Sequence, residues 1–135
     1  MASDISDQLR QAVAIRAKYR CEYCLIHQED AAFSHQIDHV VSRKHGGLSV
    51  FGNLAYACIY CNRHKGSDVA SIDPNSGEAI RLFDPRRDMW SDHFRIESAL
   101  VEPVSDVGLA TIRLLKLNTP ERVAERAILR RLGRD

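Results

Sequence analysis

Asp38 and His39 are adjacent residues within an apolar stretch, "IDHVV", that otherwise predicts a half-buried strand. A carboxylate can bind a hard cation, and an imidazole can accept a proton near neutral pH. Two amide side chains follow: thirteen residues separate His39 from Asn53, and eight separate Asn53 from Asn62. The types and joint spacing of these four residues favour a chemical role over a purely structural one.

Four cysteines form two C-x2-C pairs, Cys21 with Cys24 and Cys58 with Cys61, and 33 residues separate the pairs. Four thiolates in this pattern are suited to tetrahedral zinc, whereas redox-active or merely buried cysteines are the alternatives. The N-terminal "MASDISDQLR" does not resemble a signal peptide, which disfavours a disulfide framework. We therefore expect a structural zinc ion that clamps the two ends of the segment between the pairs.

Length, composition and charge limit the class of protein and the kinds of nucleic-acid contact that the sequence allows. The chain has 135 residues, is 44% hydrophobic and carries a formal net charge of +1. This length favours one compact domain, and the charge argues against nucleic-acid binding by bulk electrostatics, so any contact with a polyanion must use local basic clusters. No apolar run approaches the roughly 18 residues of a membrane span, so we expect a soluble, cytoplasmic protein.

Apolar periodicity and turn residues divide the first half of the chain into successive elements. A helix is expected over 5–19, followed by a strand over 32–42 and a glycine-containing loop over 43–53. A second strand over 54–57 then leads to a helix that begins near Cys61. The expected order is helix, strand, loop, strand, helix.

The second half of the chain predicts further short elements. A turn is expected at 73–77, and one or two short strands are expected over 78–94. Two helices follow, broken at the "LNTP" of 117–120, and Asn118 or Thr119 is expected to cap the second of them.

The segments "CEYC", "IDHVVSRKHGG" and "GNLAYACIYCNRHKG", over about 20–66, resemble the HNH endonuclease family, the ββα-metal nucleases. "LFDPRRDMWSDHF" and "GLATIRLLKLNTPERV" are similar to the C-terminal extension of some small bacterial HNH proteins. The resemblance implies an α+β fold in which a four-cysteine zinc site clamps a ββα-metal core, with an N-terminal helix and a C-terminal helical extension. It implies one HNH endonuclease domain over 1–135, with a core at about 20–70 and an extension at about 71–135.

Position by position, the resemblance assigns His39 as the general base, and Asp38 and Asn62 as ligands of one divalent cation, Mg²⁺ or Mn²⁺. Asn53 would hold the loop and orient His39. The implied activity is hydrolysis of DNA phosphodiester bonds that leaves 5′-phosphate and 3′-hydroxyl ends. Zinc would stabilise the fold, and the second cation would take part in catalysis.

His64 is the alternative to Asn62 as a ligand. Two residues along a helix rotate by about 200°, so the two side chains cannot face the same ion, and the spacing favours Asn62. Basic residues around the expected site suit contact with a nucleic-acid backbone, although such residues are commonly only solvated surface. These basic residues are Arg43, Lys44, Arg63 and Lys65.

Adjacent side chains on a regular strand point to opposite faces. Asp38 and His39 can therefore share a site only where the strand ends, bulges or twists. We expect such an irregularity at this pair, and an unbroken strand through 37–41 would contradict the shared site.

Other functions are open on the sequence alone. The zinc-stabilised fold could bind nucleic acid without cleaving it, or it could be a zinc knuckle that binds protein. The intact set of base and metal ligands favours the enzyme. RNA is an alternative substrate to DNA, and a homodimer or a partner protein would supply targeting, since 135 residues leave little room for base readout.

Overall fold

The computed structural model describes residues 5–135. The chain divides into two compact units, with the boundary between Asp68 and Val69. This boundary lies near the division expected between the core and the C-terminal extension. The assignment of the whole chain to one domain stays a prediction. None of the helices within 5–135 has the length and hydrophobicity of a membrane span.

The first unit contains two helices and one two-stranded antiparallel sheet. Its elements are α1 (Asp7–Arg16), β1 (Gln36–His39), β2 (Leu54–Ala57) and α2 (Ile59–Lys65). Short 3-10 turns cover Arg43–His45 and Phe51–Asn53 in the loop between β1 and β2. The order of helices and strands is the expected one.

Helix α1 begins after Ser6, whose side-chain oxygen accepts a hydrogen bond from the backbone N–H of Leu9 at 3.1 Å. It ends at Arg16, so the expected extension of this helix to Tyr19 is wrong. Lys18 and Tyr19 have φ angles of 55° and 60°. Such left-handed residues cannot continue a right-handed helix.

The core of the first unit lies between α1 and β2. Val13 and Ala14 of α1 pack with Leu54 and Tyr56 of β2, and Val13 and Leu54 are completely buried. All four residues of β2 are buried, as in a strand that is covered on both faces. β2 is therefore a fixed element against which β1 is aligned.

Strand β1 pairs with β2 in an antiparallel register that sets Asp38 opposite Ala55. β1 ends at His39, and the chain bends at Val40. The strand is thus shorter than the one expected over 32–42, and its end falls directly at the acid–imidazole pair.

Two hairpins and two helices form the second unit. They are β3 (Ala70–Ile72), β4 (Ala79–Arg81), β5 (Phe94–Glu97), β6 (Leu100–Pro103), α3 (Asp106–Leu115) and α4 (Pro120–Arg131). Phe94, Val101 and Leu115 are almost completely buried and form part of its core. β3 and β6 lie outside the region in which the sequence predicts strands. The short antiparallel strands and four helices confirm the expected α+β class.

The side chains of Asn118 and Thr119 fix the chain where it breaks between the last two helices. Lys116 ends α3 in a left-handed conformation, with φ of 52°. The Thr119 hydroxyl caps α4 by accepting a hydrogen bond from the Arg122 N–H at 3.3 Å. Asn118 accepts from the N–H of Val101 at 3.0 Å and donates to its carbonyl at 2.8 Å. Thr119 is therefore the cap, and Asn118 fastens the break to β6.

Candidate metal centre and catalytic site

The four cysteines come together in the first unit as a buried cluster. The Sγ atoms of Cys21, Cys24, Cys58 and Cys61 all lie within 4.8 Å of one another, and those of Cys24 and Cys58 are 3.7 Å apart. Four sulfurs at about 2.3 Å from a tetrahedral zinc ion would be about 3.8 Å apart. The cluster is therefore positioned to hold a metal ion, and its donor set and spacing fit zinc.

Both C-x2-C segments have the same local geometry. The Cys24 N–H donates to Cys21 Sγ, and the Cys61 N–H donates to Cys58 Sγ, each at 3.4 Å. Leu25 reverses the chain after the first pair with φ of 70°, and Cys58 is the N-cap of α2. The second pair thus places its two sulfurs at the start of a helix.

Burial disfavours the thiolate form of two cysteines in this cluster. It raises the pKa of the Cys21 and Cys61 thiols well above the ordinary thiol value. Thiolates are the species that bind zinc, so burial opposes ligation by these residues and a bound cation favours it. Formation of the metal centre is therefore coupled to loss of thiol protons.

Asp38 is buried, with 3% of its surface exposed. Its Oδ2 accepts a hydrogen bond from the Tyr23 hydroxyl at 2.7 Å, and its Oδ1 accepts one from Lys65 Nζ at 3.2 Å. Burial raises the pKa of Asp38, and the Lys65 charge and the Tyr23 hydrogen bond oppose that rise. Both carboxylate oxygens therefore have protein partners.

Lys65 is as deeply buried as Asp38. Its Nζ also donates to the backbone carbonyls of His39 at 3.1 Å and Val40 at 3.2 Å. An ammonium has three protons, so these carbonyls and the Asp38 carboxylate use all of them. Lys65 thereby ties α2 to the end of β1, while its contact with phosphate stays a prediction.

The His39 side chain has a different partner from that of Asp38. Its Nε2 lies 2.8 Å from the Ser49 hydroxyl, in the loop between β1 and β2. The imidazole is half-buried at the last residue of β1. The strand end predicted for this pair is present, but the side chains of Asp38 and His39 bond to different groups, and their shared site stays a prediction.

Asn53 clamps the loop that leaves β1. Its Oδ1 accepts a hydrogen bond from the Val41 N–H at 3.0 Å, and its Nδ2 donates to the carbonyls of Val41 and Leu48 at 2.9 Å. Gly47 lies in the same turn, and a Cβ added there would be 1.7 Å from the Val41 carbonyl oxygen. The clamp therefore requires glycine at 47, and Asn53 reaches His39 only through the loop.

Asn62 lies on α2 and donates from Nδ2 to Gln36 Oε1 at 2.6 Å. Gln36 and Asp38 share one face of β1, and Asn62 and Lys65, three residues apart, share one face of α2. The helix therefore runs along this face with Asn62 beside Gln36 and Lys65 beside Asp38.

The remaining predicted nucleic-acid contacts are on the surface. Arg43 and Lys44 are exposed in the 3-10 turn after β1, and Arg63 is exposed on α2. All three are exposed, unlike the buried Lys65, and their contact with phosphate stays a prediction.

Three contacts of the site were not predicted from the sequence. Tyr23 lies within the first cysteine pair and Gln36 two residues before Asp38, so their positions offered a weak signal. Ser49 lies in a loop whose conformation depends on Asn53 and Gly47, and no local pattern identified it.

A hairpin followed by a helix, with four clustered cysteines positioned to hold a metal ion, defines a ββα arrangement. The model of the HNH endonuclease family matches residues 21–68, which include both cysteine pairs, β1, β2 and α2. The match covers fewer than half of the residues of the chain. No curated protein and no solved structure matches the chain. The match at residues 21–68 and the four clustered cysteines confirm the resemblance to the HNH endonuclease family that was found in the sequence.

Proposed function

We propose that the chain is a metal-dependent endonuclease that hydrolyses DNA phosphodiester bonds. The observation that carries the proposal is that the HNH endonuclease match spans the segment in which an imidazole follows a buried carboxylate at the end of β1. The match to the HNH endonuclease family at residues 21–68 supports nuclease chemistry. The local geometry supports a site built from His39, Asp38 and the facing residues of α2.

His39 is the proposed general base. Removing a proton from water makes the water a stronger nucleophile toward phosphorus, and an imidazole is suited to this near neutral pH. The half-buried ring lies where β1 ends and the chain bends. A phosphate at this end of the strand would reach the ring without entering the core.

Asp38 and Asn62 are the proposed protein ligands of one divalent cation, Mg²⁺ or Mn²⁺. Carboxylate and amide oxygens fit these ions, and both residues lie at the contact between β1 and α2. When bound, the ion supplies positive charge to the phosphate and to the leaving oxygen. Among the contacts described for residues 5–135, each Asp38 oxygen accepts one hydrogen bond and keeps a further lone pair for a cation. A cation bound there would lie close to the Lys65 ammonium, and charge repulsion would favour movement of that ammonium away from Oδ1.

The other parts of the site have supporting roles in this proposal. The four-cysteine cluster holds zinc and joins the first cysteine pair to the start of α2. Arg43, Lys44 and Arg63 contact the nucleic-acid backbone, and Lys65 adds a further cation once it has left Asp38. A homodimer or a partner protein supplies targeting.

A zinc-stabilised module that binds nucleic acid without cleaving it is the second candidate. One observation favours it: the buried Lys65–Asp38 pair satisfies the carboxylate without a further cation. In that case the ion pair is structural, and nucleic-acid binding would not depend on Mg²⁺ or Mn²⁺.

Cleavage assays on several substrates test the proposal. Zinc-loaded protein is incubated with end-labelled duplex DNA, single-stranded DNA and RNA, with and without Mg²⁺ or Mn²⁺. We expect cleavage of DNA that depends on the divalent ion and leaves 5′-phosphate and 3′-hydroxyl ends. Cleavage of RNA alone would change the substrate class, and salt-sensitive binding without any cleavage would favour the second candidate.

A further inference from the structure

We propose that Ser49 is a positioning residue that fixes the orientation and tautomer of the His39 imidazole. The inference rests on the proposed function, because it names the group that prepares the general base. Nε2–H of His39 donates to the Ser49 oxygen, and the lone pair of Nδ1 is then directed to the water that attacks phosphorus.

The distance between Nε2 and the Ser49 hydroxyl is 2.8 Å, within hydrogen-bond range. A neutral imidazole carries one proton, so the nitrogen that donates a hydrogen bond determines which nitrogen retains a basic lone pair. Nδ1 of His39 has no hydrogen-bond partner among the contacts described for residues 5–135. Nδ1 is therefore the ring nitrogen left open to a water, and it has the basic lone pair when Nε2 carries the proton and donates to Ser49.

Ser49 can position the ring because its loop is fastened on both sides. On one side, Asn53 Nδ2 donates to the Leu48 carbonyl at 2.9 Å. On the other side, Arg16 Nη1 donates to the Phe51 carbonyl at 2.7 Å, and its guanidinium lies 3.9 Å from the centre of the Phe51 ring. The Ser49 backbone lies between these two anchors.

This arrangement gives Asn53 an indirect role. Among the contacts described for residues 5–135, the Asn53 side-chain amide bonds only to the backbone of Val41 and Leu48. Leu48 is the residue before Ser49. Asn53 therefore positions the loop, and Ser49 transmits that position to the imidazole. Loss of Asn53 and loss of Ser49 should alter the same property of His39.

Three serine variants separate positioning from folding. Ser49→Ala removes the hydroxyl, and Ser49→Thr keeps it. Ser42→Ala is the matched control, because the Ser42 Oγ is buried in the same loop and has no hydrogen-bond partner within residues 5–135. We expect Ser49→Ala to lower kcat for DNA cleavage roughly 10-fold to 100-fold with little change in KM. Ser49→Thr and Ser42→Ala should remain close to wild type.

¹⁵N NMR of the histidine side chains detects the tautomer that this hydrogen bond is proposed to fix. The measurement does not depend on nuclease activity. Spectra are recorded on zinc-loaded, ¹⁵N-labelled protein at a pH at which the imidazoles are neutral, and the His39 signals are assigned by their loss in His39→Ala. We expect a single Nε2–H tautomer at His39 in wild type, Ser49→Thr and Ser42→Ala, and a tautomer mixture in Ser49→Ala.

The two measurements have separate consequences. An Nδ1–H tautomer at His39 in wild type would overturn the inference, as would unchanged kcat in a folded, zinc-loaded Ser49→Ala variant. If wild type cleaves no nucleic acid, the proposed function fails, and the NMR tautomer still decides whether Ser49 orients the ring.

Discussion

The Nζ atom of Lys65 lies 3.2 Å from Oδ1 of Asp38, and both side chains are at most 3% exposed. The Tyr23 hydroxyl binds the second carboxylate oxygen at 2.7 Å. Removing a charge from water is costly, and only close pairing offsets that cost. Lys65 and Tyr23 therefore hold the Asp38 carboxylate at the contact between β1 and α2.

Lys65→Met leaves Asp38 as a buried carboxylate without its cation. We expect the free energy of unfolding of the first unit to fall by about 3–5 kcal/mol, the usual cost of breaking a buried pair from one side. Urea denaturation of zinc-loaded protein, followed by far-UV circular dichroism, measures the change. Tyr23→Phe is the control and should cost less, about 1.5–3 kcal/mol, since it removes one hydrogen bond to the same carboxylate. Wild-type stability in Lys65→Met would contradict the pairing.

The same variant tests Asp38 as a metal ligand. If Lys65 competes with a divalent cation for the carboxylate, Mn²⁺ should raise the Tm of Lys65→Met more than that of wild type, because binding stabilises the folded state. The double variant Lys65→Met/Asp38→Asn should lose this response. An equal response of all three proteins to Mn²⁺ would place the cation elsewhere.

Cys58→Ser separates helix capping from metal binding. The Cys58 sulfur accepts a hydrogen bond from the Cys61 N–H at the start of α2, and a serine oxygen can replace it as an N-cap. Serine is a poor zinc ligand, so the variant should bind less than one zinc ion per chain and lose much of the structure of the first unit. Metal analysis and far-UV circular dichroism measure both effects. Full zinc content in Cys58→Ser would contradict the four-cysteine site.

The second unit contains an ion pair with a predictable pH dependence. Asp88 accepts hydrogen bonds from the two terminal nitrogens of Arg81 at 2.7 and 3.1 Å, and these bonds lower the pKa of Asp88. The ionised carboxylate is therefore favoured in the folded state. Its contribution to stability is full above the unfolded-state pKa of about 3.9 and is lost as the pH falls through the lower folded-state pKa.

Asp88→Asn should therefore destabilise the second unit at pH 7, and the difference from wild type should shrink below about pH 4. Trp90 is the single tryptophan of the chain and lies in this unit, so its fluorescence during urea denaturation gives the measurement. Asp92→Asn is the control, because Asp92 is an exposed carboxylate near the same tryptophan. A difference between Asp88→Asn and wild type that grows at low pH would reverse the sign and contradict the prediction.

The spacing of the cysteines was sufficient to predict that all four come together in one cluster. Each C-x2-C pair places two sulfurs together by local geometry, and joining the pairs requires only the hairpin between them. The second strand was predicted with its observed bounds, Leu54–Ala57, because a turn precedes it and a cysteine pair follows it. By contrast, the end of α1 depends on left-handed residues Lys18 and Tyr19, which apolar periodicity does not reveal.

The candidate site was predictable in its residue types but not in its contacts. A lysine beside basic neighbours predicts an exposed cation, and only the packing of α2 on β1 buries Lys65 against Asp38. In the same way, the hydroxyl that contacts His39 is set by the loop clamped by Asn53, so Ser49 has no local signature. The burial of Lys65 and the contact of Ser49 with His39 both depend on tertiary packing, which the local sequence does not reveal.

Nicking of supercoiled plasmid DNA by zinc-loaded wild type, His39→Ala and His45→Ala, with Mg²⁺ or Mn²⁺, tests the central claim most directly. His45 is an exposed histidine in the turn after β1 and serves as the matched control. If His39 is the general base, wild type and His45→Ala nick the plasmid only with the divalent ion, while His39→Ala keeps its zinc and loses at least about 100-fold in rate. Equal nicking by His39→Ala and wild type, or no nicking by any of the three proteins, would contradict the proposed nuclease site.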